Sequence, residues 1–291
     1  MINELIKEKY TLADGTQVPK IGFGCYNPQG GDTYGMIRRA IDAGYTYFDT
    51  ASLYKTERIL GQAIRDSGVS RSDLIIATKA WHDELGKDKV REAFMRSLER
   101  LQLEYIDLYL VHWPRPNTEC DWKTLDIETW ETMESLKKEG YVCSLGVSNF
   151  LPHHLDNLLQ NTTEKPVVDQ LELHPGYFQE AAVRYCQEHD ILPQAWGPIG
   201  RGRIFNQAAV NQLADKYHRS FAQICLRFLI QRGVMPMPKA MSREHMLENA
   251  DVFDFEISQD DVWMLSCIPQ TDWLGEHPDL SIPNKPSDPD Q

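Results

Sequence analysis

Short apolar runs alternate along this chain with longer stretches whose apolar residues recur every three or four positions. The runs fall near residues 21–24, 45–48, 74–78, 105–111, 142–147, 167–170, 191–196 and 234–237. Each reads as a buried strand. The periodic stretches predict helices over 32–43, 57–66, 87–101, 128–138, 155–160, 179–189, 206–217, 220–231 and 258–267. Gly44 supplies the stop signal for the first of them. Strand and helix in alternation imply a parallel sheet with right-handed crossovers. Eight such units predict an α/β fold, a closed (β/α)8 TIM barrel, with extra helices after strand 7 and at the C-terminus. The rival is an open doubly wound sheet, which normally carries a Gly-rich phosphate turn after its first strand. Ile21-Gly22-Phe23-Gly24-Cys25-Tyr26-Asn27 lacks the third glycine of that motif. Asp14-Gly15 lies between two short extended runs within 9–20 and predicts an N-terminal β-hairpin closing the barrel bottom. No repeat or linker divides the chain, so a single domain over 1–291 is expected, with its core at about 8–269. The tail 270–291 is rich in Pro and Asp and is expected to be irregular.

Several strands exit into polar side chains. Asp49 ends Tyr45-Thr46-Tyr47-Phe48, and Tyr54 follows five residues later. Lys79 ends Leu74-Ile75-Ile76-Ala77-Thr78, and His112 ends the run from Tyr105 to Val111. Charged residues are almost never fully buried unless paired. Barrel active sites lie at the C-terminal ends of the strands, and the polar residues follow that rim in chain order. Asp49, Lys79 and His112 come from strands two to four, Ser148 and Asn149 from strand five, Gln170 from strand six and Trp196 from strand seven. Lys239 follows strand eight. A carboxylate, a phenol, an ammonium and an imidazole in one place are equipment for proton transfer. Asp49 with Lys79 alone could be a structural ion pair; Tyr54 and His112 tip the balance to chemistry.

The net charge of −13 argues against nucleic acid and against an anionic membrane surface, both of which need clustered cations. The six cysteines are scattered, with no zinc spacing, which fits a reduced, intracellular protein. The N-terminus lacks a signal-peptide core, and no apolar run approaches the roughly 20 residues that span a bilayer. A cytoplasmic protein is expected. His153, His154 and His174 have no convincing companions as metal ligands, so no metal is expected.

Phe48-Asp49-Thr50-Ala51-Ser52-Leu53-Tyr54, Ala77-Thr78-Lys79 and Leu110-Val111-His112-Trp113-Pro114 resemble signature blocks of the aldo-keto reductases. Gly146-Val147-Ser148-Asn149-Phe150 and Asp169-Gln170-Leu171-Glu172-Leu173-His174-Pro175 match further blocks. So do Ala195-Trp196-Gly197-Pro198-Ile199-Gly200-Arg201-Gly202 and Pro238-Lys239. The resemblance is to the bacterial type of aldehyde and ketone reductase. It implies an NAD(P)H-dependent oxidoreductase in which Tyr54 donates the proton, Lys79 lowers the phenol's pKa, Asp49 holds Lys79, and His112 orients the carbonyl. No side chain supplies a hydride, so a nicotinamide nucleotide, usually NADPH, is implied.

By position, Ser148, Asn149 and Gln170 would meet its carboxamide. Trp196 stands where a tyrosine more usually stacks on the nicotinamide. Gly24, Cys25, Tyr26 and Asp49 would line that end, with Gly197, Ile199, Gly200 and Arg201 along the pyrophosphate. The adenosine end, Lys239, Ala240, Arg243, His245, Glu248 and Asn249, departs from the family pattern. Ala240 replaces a serine and His245 an arginine, with Arg243 able to compensate from the same loop, so NADH use is expected beside NADPH. Tyr26, Tyr54, Trp81, His112, Trp113 and Trp122 would form the substrate pocket, with Trp273 also reaching over it. The partner is a small carbonyl or alcohol, and the oligomeric state a monomer or weak dimer. The alternatives are a nucleotide-binding accessory module that keeps the fold, and a Schiff-base lyase on Lys79. Asp49 disfavours the latter by keeping the amine charged.

Overall fold

The computed structural model describes residues 5–271, 273–274 and 276–280. A two-stranded antiparallel hairpin comes first, β1 (Lys9–Thr11) and β2 (Gln17–Pro19), with Tyr10 opposite Val18. There follow β3 (Phe23–Gly24), α1 (Thr33–Ala43), β4 (Tyr47–Asp49), α2 (Glu57–Ser67), β5 (Ile75–Ala80) and α3 (Lys87–Leu101). Next come β6 (Ile106–Val111), α4 (Trp122–Lys138), β7 (Val142–Ser148), α5 (Pro152–Asn161), β8 (Val168–Glu172) and α6 (Glu180–Glu188). The chain continues through β9 (Leu192–Trp196), α7 (Ala208–Tyr217), α8 (Phe221–Gln231), β10 (Met235–Pro236), α9 (Arg243–Ala250) and α10 (Gln259–Ser266). Strands β3 to β10 lie side by side in chain order, each parallel to the next. The ring closes where the Gly22 N–H donates to Pro236 O and the Gly24 N–H to Pro238 O, both at 3.1 Å. This is the (β/α)8 barrel that the alternation predicts, and each of the eight expected strands is present.

Two helices depart from the expectation. α4 begins six residues before 128, because Asp121 caps it, accepting from the Thr124 hydroxyl at 2.7 Å. Its first two turns have no apolar periodicity to announce them. α9 was expected to be loop. Ser242 caps it, accepting from the His245 N–H at 3.2 Å, but only Met246, Asn249 and Ala250 are buried, too few for a clear stripe. Arg243 therefore sits on a helix rather than in a loop. Most of the Pro- and Asp-rich tail, residues 281–291, lies outside the described residues. No described helix is long and apolar enough to cross a membrane.

Alternation along a strand sends every second side chain into the barrel. The lower interior packs Tyr47, Ala77, Leu108, Leu110, Val168 and Met235, and the hairpin closes it from below with Leu12 and Val18. Asp14 and Thr16 in the hairpin turn bond the Ser144 hydroxyl at 2.7 and 3.0 Å. The other strand faces pack on the helices, around Phe48, Ile76, Tyr109, Leu145 and Phe150.

α2 and α3 come close together at Gly61 of α2. A Cβ there would stand 2.1 Å from Leu101 O and 2.7 Å from its carbonyl carbon. Both atoms are backbone of α3, so a whole helix must move to make room. Gly61→Ala should therefore destabilise the protein by about 1–3 kcal/mol, despite a helix-propensity gain of about 1 kcal/mol. The readout is the urea midpoint at unchanged slope; a variant as stable as wild type would show that the two helices separate cheaply.

Candidate active site

Asp49 is the last residue of β4, and Lys79 the last but one of β5. Strand pairing sets Asp49 opposite Ala77, which places both side chains in the upper barrel. The Lys79 ammonium is fully buried and donates to both Asp49 oxygens at 2.7 Å and to Thr50 O at 2.9 Å. Gln170 of β8 donates to Asp49 Oδ1 at 2.9 Å and lies 3.4 Å from Gln194 Oε1. Gln194 in turn donates to the Tyr47 hydroxyl at 3.1 Å. A polar column thus descends from the ion pair through the barrel.

Tyr54 closes a short turn, Ser52–Tyr54, after β4. Lys79 Nζ lies 5.0 Å from the centre of its ring. His112 follows β6, its N–H donating to Ala80 O at 3.0 Å, and meets the Tyr54 ring edge-on at 5.5 Å. Trp81 meets His112 edge-on at 4.8 Å, and Tyr26 packs 4.7 Å from Tyr54. Asp49, Tyr54, Lys79 and His112 are therefore one cluster. Three of them, Asp49, Tyr54 and His112, reach the wall of a cleft of about 480 Å³ that also exposes Trp81, Trp113, Trp196 and Tyr26.

Burial, and then the like charge of Lys79, hold His112 well below the usual histidine range, so it is neutral. Burial pulls Lys79 down, and the Asp49 carboxylate opposes that pull. Burial, and then Asp49, push the Tyr54 phenol well above its usual value, and the Arg201 guanidinium opposes that push without cancelling it. Tyr54 is therefore held as a phenol.

Of the residues expected at a cofactor, Gly24, Tyr26, Asp49, Asn149, Trp196, Gly197, Ile199, Arg201 and Lys239 line the cleft. The Arg201 guanidinium bridges the cleft, 4.8 Å from the Trp196 ring and 5.3 Å from that of Tyr26. The Lys239 ammonium donates to Asn27 Oδ1 at 3.2 Å. Among the described residues, neither Arg201 nor Lys239 forms an ion pair. Burial and the Arg201 charge lower the pKa of Lys239. Two cations without an ion pair beside a flat indole, with the Glu276 carboxylate near Arg201 in the same wall, fit an anionic ligand with an aromatic end. A dinucleotide has that character.

Other expected residues are placed differently. Cys25 is fully buried, off the cleft, and burial pushes its thiol up. The Ser148 hydroxyl donates to Gln170 O at 2.8 Å. The Asn149 amide donates to His112 O and Ser148 Oγ and accepts from Trp196 Nε1, at 2.9, 3.1 and 2.9 Å. All three residues expected at the carboxamide are thus engaged with protein groups. Gly200 is buried against Ile204. Ala240 joins the helix-side core, Arg243 and His245 are exposed, Glu248 is half-buried and Asn249 buried on α9. None of these lines the cleft. Trp122 does not line it either: it opens α4 and packs edge-on against His154 at 4.7 Å. Trp273 stacks on Tyr177.

His153, His154 and Asp279 bring three ligand-type atoms within 4.8 Å. The Leu151 N–H donates to His154 Nδ1 at 3.1 Å, so the ring proton sits on Nε2 and points at Asp279, 3.1 Å away. Burial pushes His154 down to about 3. A neutral imidazole in that tautomer is a donor and not a ligand.

The model of the Aldo/keto reductase family matches residues 20–268. The chain belongs to that family. It is an oxidoreductase acting on carbonyl and alcohol groups with a nicotinamide nucleotide. It is 38% identical to glyoxal reductase of Bacillus subtilis (strain 168), over 94% of this chain and 97% of that protein. It is 37% identical to methylglyoxal reductase DkgA of Escherichia coli (strain K12), over 92% and 96%. Among solved structures, the aldo-keto reductase of Bombyx mori in complex with NADP superposes with a TM-score of 0.83 at 32% identity, covering 91% of this chain and 94% of that one. The Brucella melitensis aldo/keto reductase gives 0.83 at 35%, covering 90% and 99%.

This reductase also lines its cleft with residues that carry no sequence signal of their own, among them Leu53, Phe205, Met237 and Glu276. Phe205, 53% exposed, is an apolar ring at the rim, which no period marks. Glu276 lies beyond the family blocks.

His112 should stay flat in an imidazole NMR titration between about pH 5 and 8. Its folded pKa lies below the unfolded value of about 6.5. The unfolded chain therefore takes up a proton that the native site refuses, and the group costs stability as pH falls below about 6.5. A titration midpoint above about 6 would overturn this account of its environment.

Proposed function

We propose that the chain reduces aldehydes and ketones in the cytoplasm, as a single-domain monomer or weak dimer, with Tyr54 as proton donor. The supporting observation is the buried Lys79–Asp49 pair beside Tyr54 and His112, at the wall of an aromatic cleft that also holds Arg201 and Lys239. The nicotinamide, when bound, supplies the hydride. A neutral His112 donates an N–H to the carbonyl oxygen and fixes its direction. The Tyr54 phenol is too weak an acid to lose its proton at rest. It gives the proton up only as negative charge builds on the substrate oxygen. The ammonium of Lys79 then faces the phenolate left behind, and Asp49 and Gln170 keep that ammonium in place. Trp81 and Trp113 wall off water and favour an apolar body next to the carbonyl. Relatives named for glyoxal and methylglyoxal make small 2-oxoaldehydes the first substrates to try.

The indole of Trp196 is the stacking platform, and Arg201 and Lys239 take the phosphates. Past Lys239, Ala240 offers no hydroxyl and His245 no permanent charge, while Arg243 is exposed at the start of α9. That set supports NADPH with NADH as a usable substitute.

Two measurements test the reading. Tyr54→Phe should lower kcat/KM for carbonyl reduction by about 10²–10⁴-fold, the usual worth of a positioned general acid. Full activity in the variant, or none in wild type across aldehydes and ketones, would sink it. The ratio of kcat/KM for NADPH over NADH should fall below about 100-fold, or roughly 2.7 kcal/mol. A larger ratio would mean that Lys239 and Arg243 suffice to select the 2′-phosphate.

A further inference from the structure

Glu172 ends β8 and is only 4% exposed, and its two carboxylate oxygens serve different segments. Oε1 accepts from the Arg203 guanidinium, which belongs to the turn after β9. Oε2 accepts from the Leu274 N–H of the C-terminal segment at 3.0 Å.

Each segment forms part of the cleft wall. The turn carries Arg201 across the cleft and is anchored to the core at Ile204, with Phe205 edge-on to Phe221. Gly197, Gly200, Arg201 and Gly202 all have left-handed backbone, and Arg201 and Phe205 are exposed. The C-terminal segment places Glu276 in the wall. It is pinned a second time at Asp279, which accepts from His154 Nε2 at 3.1 Å and pairs with Arg115 at 3.9 Å. A buried carboxylate cannot move toward one donor without straining its bond to the other, and the carboxylate itself is too buried to be left unpaired cheaply.

Resting on the reading of the cleft as a nucleotide site, we propose that Glu172 is a positioning residue that couples the turn to the C-terminal segment. Nucleotide held by the turn then steadies the segment around Leu274 and Glu276 as well, and loss of the Glu172 link uncouples the two. Coupling of this kind is reciprocal: whatever fixes the C-terminal segment also tightens nucleotide binding.

Hydrogen exchange of the full chain, with and without NADPH, reads this directly and needs no turnover. In wild type, NADPH should slow exchange in peptides covering 197–206 and 273–280 by about fivefold or more each, the lower end of ordinary couplings. In Glu172→Gln, protection of 197–206 should persist while that of 273–280 falls below about twofold. Should that variant not fold, Arg203→Met breaks the same link from the other side, leaves the bond to Leu274 in place, and should give the same pattern. Protection of 273–280 at the wild-type level in a folded variant overturns the proposal. So does a wild type in which the turn is protected and 273–280 is not. A wild type in which NADPH protects neither segment defeats the nucleotide reading itself, and the coupling with it.

Discussion

A charged lysine is buried in the centre of a barrel, and much of the upper half of the molecule is arranged around that fact. Its positive charge is tolerable only with a carboxylate in close contact and every remaining hydrogen bond satisfied. Asp49 meets the first need with both oxygens; Thr50 O meets the second. The carboxylate in turn takes a bond from Gln170, whose amide lies beside Gln194, which bonds Tyr47. The strands supplying these groups are fixed relative to one another by backbone ladders, so the pair is held without depending on loops. Loops supply what has to meet ligands: Tyr54, Trp81, Arg201 and Glu276.

The same burial explains the electrostatics around the pair. A lone ammonium would draw the neighbouring phenol toward ionisation. Here the Asp49 carboxylate opposes that draw, and desolvation is the largest influence on both Tyr54 and His112. The site rests with a neutral acid and a neutral imidazole, ready for charge that only a reaction creates. The other end of the cleft is built differently: among the described residues Arg201 and Lys239 form no ion pair, and Glu276 is the carboxylate near Arg201.

Most of this frame was legible in the chain, for a physical reason. Parallel strands buried on both faces read as unbroken apolar runs, so a charge at the end of one stands out. Asp49, Lys79 and His112 were conspicuous on that ground alone. α9 was not, because a helix that buries three residues leaves no period. Trp122 packs against His154 of α5 and does not line the cleft, a placement that depends on how α4 and α5 lie together and leaves no mark in the sequence. The link from Glu172 to Arg203 and Leu274 left no mark in the sequence. It joins one carboxylate to a guanidinium 31 positions away and a backbone N–H 102 positions away, a pairing that depends on how two irregular segments lie.

The seam between β3 and β10 has one more consequence, and it concerns synthesis. The barrel closes through two backbone bonds, from Gly22 and Gly24 to Pro236 and Pro238. On the ribosome the first strand has to wait for more than two hundred further residues before its partner exists, which places this contact among the slowest to form. Asp49 and Lys79 emerge early and close together, yet the dry interior that gives their pairing its meaning arrives only with the last strand. Until then they are an ordinary acid and an ordinary base in water. A nascent chain halted before Pro236 would carry all four reactive side chains and none of their special chemistry.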